Sequence, residues 1–132
     1  MKTKVCLAVV VSVLLSLLAF PALAGTYDIP MWVSHARLAW VGRSSTGTDA
    51  VVGLIFVRDA NRQRVAGASV TVVWYLDGAR FSTETVTTSV HGYARSSVWR
   101  GKGVYVMRVI SVTKAGWLYY STFGTTATYA VW

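Results

Sequence analysis

The clearest alternation along this chain lies between Val65 and Gly78. There Ala68, Val70, Val72, Trp74 and Leu76 share one parity, and Ser69, Thr71, Val73 and Tyr75 take the other. A period of two carried by β-branched and aromatic residues predicts a strand with one buried face. Gly67 opens it, and Asp77-Gly78 closes it with the residue pair a tight hairpin favours. Trp74 is expected at the centre of the packing.

The same reading extends in both directions. Met31 to Val41 is apolar with His35 and Arg37 interspersed and predicts a first strand; Arg43 to Asp49 is a polar loop. Ala50 to Arg58 is nearly all apolar, which predicts a strand buried on both faces or against a neighbour. Asp59 to Gln63 makes the turn into the central strand. Arg80 to Thr88, rich in Thr and Val, fits an exposed strand or a sheet edge. After a turn at Ser89 to Gly92, Tyr93 to Trp99 alternates again, with Ala94, Ser96 and Val98 on one side. Arg100 to Gly103 turns into a second strongly apolar strand, Val104 to Thr113. Lys114 to Gly116 leads into a last run, Trp117 to Trp132, broken at Gly124.

Turn signals about every ten residues, with no helical period beyond the N-terminal segment, predict an all-β sandwich. The expected fold is an immunoglobulin-like β-sandwich of seven or eight antiparallel strands. Tyr105 stands at the start of a late strand, two residues before Met107. That is the place of a tyrosine corner, with Met107 where a cysteine can stand in such folds. Trp74, Tyr105 and Met107 are the expected structural core.

The N-terminus changes the count. Lys2 and Lys4 precede an apolar run from Val5 to Phe20, and Pro21-Ala22-Leu23-Ala24 ends in a small-x-small pattern, which reads as a secretory signal peptide over residues 1–24. The run is 16 residues, short of the roughly 20 that a spanning helix needs. Residues 25–132 are expected to form one domain, with no stable membrane span after removal of the signal. Cys6 would leave with the signal, so the 108 remaining residues hold no cysteine and depend on apolar packing rather than disulfides. The expected setting is bacterial: secreted, periplasmic or at the cell surface. The remaining charge is +6, eleven basic residues, nine of them Arg, against five acidic. Such a balance suits anionic partners, although the basic residues are scattered without a run and also read as solubility charge.

Several segments resemble bacterial immunoglobulin-like modules. Val57-Arg58-Asp59 with Val65-Ala66-Gly67-Ala68-Ser69-Val70 resembles their "V-x-D…pV-x-GA-x-V" opening. His91-Gly92-Tyr93-Ala94 is similar to their "dG-x-A" turn, and the stretch from Val109 to Tyr119 to their "V-x-x-V-T-x-x-G-Y-x-Y" ending. These modules occur as group 1 bacterial Ig-like repeats of surface adhesins and as C-terminal appendages of secreted proteases. The resemblance spans roughly residues 50 to 120 and implies a non-catalytic accessory or adhesive module. Tyr120 and Ser121 stand where acidic residues often follow the terminal Tyr, so the resemblance gives no ground for a calcium role.

Candidate chemistry is sparse. The histidines are His35 and His91, no thiol remains, and Asp28, Asp49, Asp59, Asp77 and Glu84 are spread along the chain. Neither a nucleophile with its base nor a carboxylate pair stands out, so no enzyme is expected and no cofactor or metal. Asp59-Ala60-Asn61 has the spacing of two calcium ligands, but a site needs six or more oxygens, and a plain turn is favoured.

The aromatics carry more. Six Trp and seven Tyr exceed what one small core needs. Tyr75, Trp99 and Trp117 fall on outward parities with Arg95 and Arg100 near in sequence, and these five form the candidate ligand-binding set. Such rings and guanidinium groups could engage polysaccharide or the cell-envelope surface. The competing reading has them cover a second small core or a protein partner, in a scaffold module with no glycan ligand. The basic residues are too thin for a nucleic-acid channel. A terminal aromatic also raises a small outer-membrane β-barrel, which needs at least eight strands of about ten residues with lipid-out alternation.

Overall fold

A computed structural model describes residues 29–121 and 125–132. The expected signal peptide, the start of the domain at Gly25 and the break at Gly124 lie outside the described residues. The chain forms eight strands: β1 (Ile29–Arg43), β2 (Asp49–Asp59), β3 (Ser69–Leu76), β4 (Ala79–Thr87), β5 (Tyr93–Arg100), β6 (Gly103–Thr113), β7 (Trp117–Tyr119) and β8 (Thr126–Val131). They make two four-stranded sheets, one ordered β5-β2-β1-β7 and the other β4-β3-β6-β8. The fold is an all-β sandwich, as the alternation predicts. The apolar faces turn inward on each other, the reverse of the lipid-out pattern, so the barrel alternative does not describe this topology. Among the described residues no helix is long and apolar enough to cross a membrane. One expectation needs correction: β7 pairs with β1 in parallel, Ile29 beside Trp117, so the sandwich is not wholly antiparallel.

β3 and β2 are interior strands of their sheets. Val70, Val72 and Trp74 of β3 face Val51, Ile55 and Val57 of β2 across the core. The Asp77-Gly78 turn between β3 and β4 has φ of 49° and 83°, the two left-handed positions that a type I′ hairpin turn requires. Gly53 of β2 is a place of close approach: any side chain there would collide with the Met107 sulfur, so the glycine makes room for the thioether from the opposite sheet.

Trp74, Tyr105 and Met107 are all fully buried. The indole N–H of Trp74 donates to the Ser96 hydroxyl at 2.9 Å, and that hydroxyl donates in turn to the Glu84 carboxylate. Ser96 belongs to β5 and Glu84 to β4, so this short chain of bonds crosses from one sheet to the other. The Tyr105 hydroxyl donates to the backbone carbonyl of Gly101, four residues upstream, the bond that defines a tyrosine corner. Replacing Tyr105 with Phe keeps the ring and removes that bond. Equilibrium urea unfolding should show a loss of about 1 kcal/mol, the net worth of one hydrogen bond, at unchanged denaturant slope.

A second polar group is drawn in where the β1–β2 loop ends. Asp49 is fully shielded and accepts from the Trp40 indole N–H at 2.9 Å and from Arg43 Nε at 3.0 Å. The Arg43 bond, seconded by Trp40, holds its carboxyl below the ordinary value of 3.8, against the opposing effect of burial. A folded-state pKa below the unfolded one stabilises the protein fully above the unfolded value, and this is lost as pH falls through the folded value. Urea titrations from pH 7 to about pH 2.5 should therefore show a falling acid limb below about pH 4. The Asp49→Asn variant should be less stable at pH 7 and have a flatter limb.

Candidate functional site

The five predicted ligand-binding residues do not form one surface. Tyr75 lies on the outer face of β4-β3-β6-β8, half-buried, with the Arg108 guanidinium 6.0 Å from its ring. Arg95 and Trp99 lie on the outer face of the opposite sheet, on β5. Arg100 ends β5 with its guanidinium 5.0 Å over the ring of Phe81 on β4. Trp117 departs from its expected outward position: it packs against the core, with the Lys114 ammonium 4.8 Å over its ring. A platform that joins Tyr75 to Trp99 is thus ruled out by the thickness of the sandwich between them.

The outer face of β5-β2-β1-β7 holds a more coherent group. Inward positions of β2 are fixed by Val51, Gly53, Ile55 and Val57, so Val52, Leu54 and Phe56 face out. Register then sets their neighbours. Arg37 and Arg95 flank Leu54 from the two sides, and His35 and Tyr93 flank Phe56 in the same way. The rings are in contact: His35 to Phe56 and Phe56 to Tyr93 are each 5.7 Å between centroids, and His91 stacks on Tyr93 at 6.4 Å and 14°. The Arg37 and Arg58 guanidinium groups each stand 6.0 Å from the Phe56 ring. Beside this row, Ala39 and Val52 form a low apolar floor, and the whole makes an open trough of about 730 Å3.

β1 is bulged between Val33 and His35 and again between Trp40 and Gly42. A bulge resets the parity of the residues after it, and the first one carries His35 and Arg37 onto the outer face.

The electrostatics follow from where the carboxylates are. Asp49 is buried against Arg43. Asp59 accepts from the backbone N–H of Asn61 and Gln63, so the Asp59-Ala60-Asn61 spacing serves a turn. Asp77 accepts from the Val104 N–H, and Glu84 from Ser96. None of the four described carboxylates lies on the outer face of β5-β2-β1-β7. Among the described residues the one ion pair is Arg43 with Asp49. Arg37, Arg58 and Arg95 therefore share one face with rings and, among the described residues, no carboxylate. That arrangement can take a ligand with apolar faces and negative groups: guanidinium forks bind carboxylate or sulfate bidentately, and the rings and floor cover C–H surface.

No family model matches the chain, and no curated protein matches it. Among solved structures it is similar to a CARDB domain from Pyrococcus furiosus that is in complex with di-metal ions. The identity is 14%, the likeness covers 80% of this chain and 94% of that one, and the TM-score is 0.50. Among the described residues no three His, Cys, Asp or Glu side chains come together here, so they do not fit a metal pair. The likeness shows the fold, an immunoglobulin-like β-sandwich.

Proposed function

We propose that this chain is an exported, non-catalytic binding or adhesion module that holds an acidic polysaccharide in the trough of the β5-β2-β1-β7 face. The observation that carries the reading is the cross-strand row Arg37–Leu54–Arg95 beside the ring row His35–Phe56–Tyr93, on a face with no described carboxylate. Arg37 and Arg95 would bind carboxylate or sulfate groups of the glycan. Phe56 and Tyr93 would pack on sugar rings, and Ala39 and Val52 would let the polymer lie close. The resemblance of the Val57–Val70 and Val109–Tyr119 segments to bacterial adhesin repeats supports the same role, at or outside the cell envelope.

Retention of the purified chain on insoluble acidic and neutral polysaccharides, across a salt series, tests it. Retention on the acidic polymers that weakens as salt screens the guanidinium groups is the expected result. Equal retention on neutral polymers, or none on either, would sink the proposal and leave the protein-partner reading.

A further inference from the structure

The tryptophans point to a second surface, independent of the trough. Among the described residues the exposed tryptophans are Trp40 at 46%, Trp99 at 54% and Trp132 at 85%. Register puts all three at one end of the sandwich. Trp40 stands beside Val51, Trp99 beside Ala50, and Trp132 follows Val131, which pairs with Gly103. The same end holds the β1–β2 loop, the Asp77-Gly78 turn and the Gly101-Lys102 turn. Tyr129, 38% exposed, lies on β8 opposite Tyr105.

Scattered exposed apolar residues are ordinary on protein surfaces. A rim that gathers every exposed tryptophan is not scattered. Cations stand beside these rings. Arg80, Arg100 and Lys102 are exposed here. Of the two side-chain carboxylates at this end, Asp49 is paired with Arg43 and bonded by Trp40, and Asp77 accepts from the Val104 N–H, so Arg43, Arg80, Arg100 and Lys102 outnumber them. The Trp40 N–H is tied inward by the same bond, which fixes that ring in place.

We infer that this pole docks on an anionic lipid bilayer. Tryptophan and tyrosine settle at the headgroup level, with an apolar ring body and a polar edge. Cations beside them add attraction to anionic lipids that fades within a Debye length. The charge of the pole selects the partner: net positive side chains around the rings match an anionic surface and gain nothing from a neutral one.

Residues 1–28 contain no tryptophan, so tryptophan quenching by brominated lipid reads the folded domain even in the full chain. Vesicles of brominated phosphatidylcholine, with and without about 30% phosphatidylglycerol, are the probe. Quenching should be at least about fivefold stronger on the anionic vesicles and should fade toward about 0.5 M salt. Trp99→Ser with Trp132→Ser should remove most of it. Both rings are exposed, so the fold should tolerate the change. Arg100→Glu with Lys102→Glu should weaken partitioning about tenfold or more. Equal quenching on neutral and anionic vesicles, quenching that survives both double variants, or no quenching at all would overturn the inference. So would binding of this pole to an acidic polysaccharide in place of vesicles.

Discussion

Trp74→Ala should cost about 3–5 kcal/mol, a large part of the total stability of a domain this size. Two effects add. The ring is fully buried between the sheets, so its loss removes apolar burial and leaves a cavity that packed strands cannot fully close. Its N–H also donates to Ser96, which donates to Glu84. Without the indole the Ser96 oxygen loses a donor in a buried position, and the bonds that join β4 to β5 across the sandwich lose an end. Trp74→Phe separates the terms. It keeps most of the apolar volume and removes the donor, so a loss of about 1–3 kcal/mol is expected. Urea unfolding of the two variants measures both. Equal losses would show that the polar chain, and not packing, dominates at this position.

Arg37→Glu with Arg95→Glu should abolish retention on acidic polysaccharide while the fold stays intact. Hydrogen bonds to charged groups are worth about 1.5–3 kcal/mol each. Losing two therefore weakens binding roughly a hundredfold or more, and the introduced carboxylates add repulsion. Both arginines are exposed, and neither makes an ion pair among the described residues. Unfolding midpoints should stay within about 0.5 kcal/mol of the unmodified chain. Tyr75→Ala, on the opposite sheet, should leave retention unchanged. Affinity electrophoresis of the three proteins gives the comparison directly.

The strands were legible because each alternates, or is buried throughout, between strong turn signals. Asp77-Gly78 read as a tight hairpin and has both residues at positive φ. Ala94, Ser96 and Val98 share one side of β5 and are all buried. The site was less legible, for two physical reasons. Parity says which side of its own strand a residue takes, and nothing about which sheet the strand joins. Tyr75 and Trp99 both point outward, from opposite faces. A bulge also shifts parity by one with no residue signature of its own, so the bulge at Ser34 hid the placement of His35 and Arg37 in an apolar run. Phe56 was hidden in the same way: in a strand that is apolar on both faces, nothing local marks the outer one. Trp117 shows the reverse error, an outward parity in a three-residue strand that instead folds its ring against the core.

The most direct test of the trough is a map of backbone amide shifts as an acidic oligosaccharide is titrated into the labelled protein. Perturbations are expected to gather on residues 35–39 of β1, 52–56 of β2 and 93–97 of β5, with the Arg37 and Arg95 side-chain signals moving together. Shifts centred on Tyr75 and Arg108 of the opposite sheet, or no shifts at saturating ligand, would contradict the account.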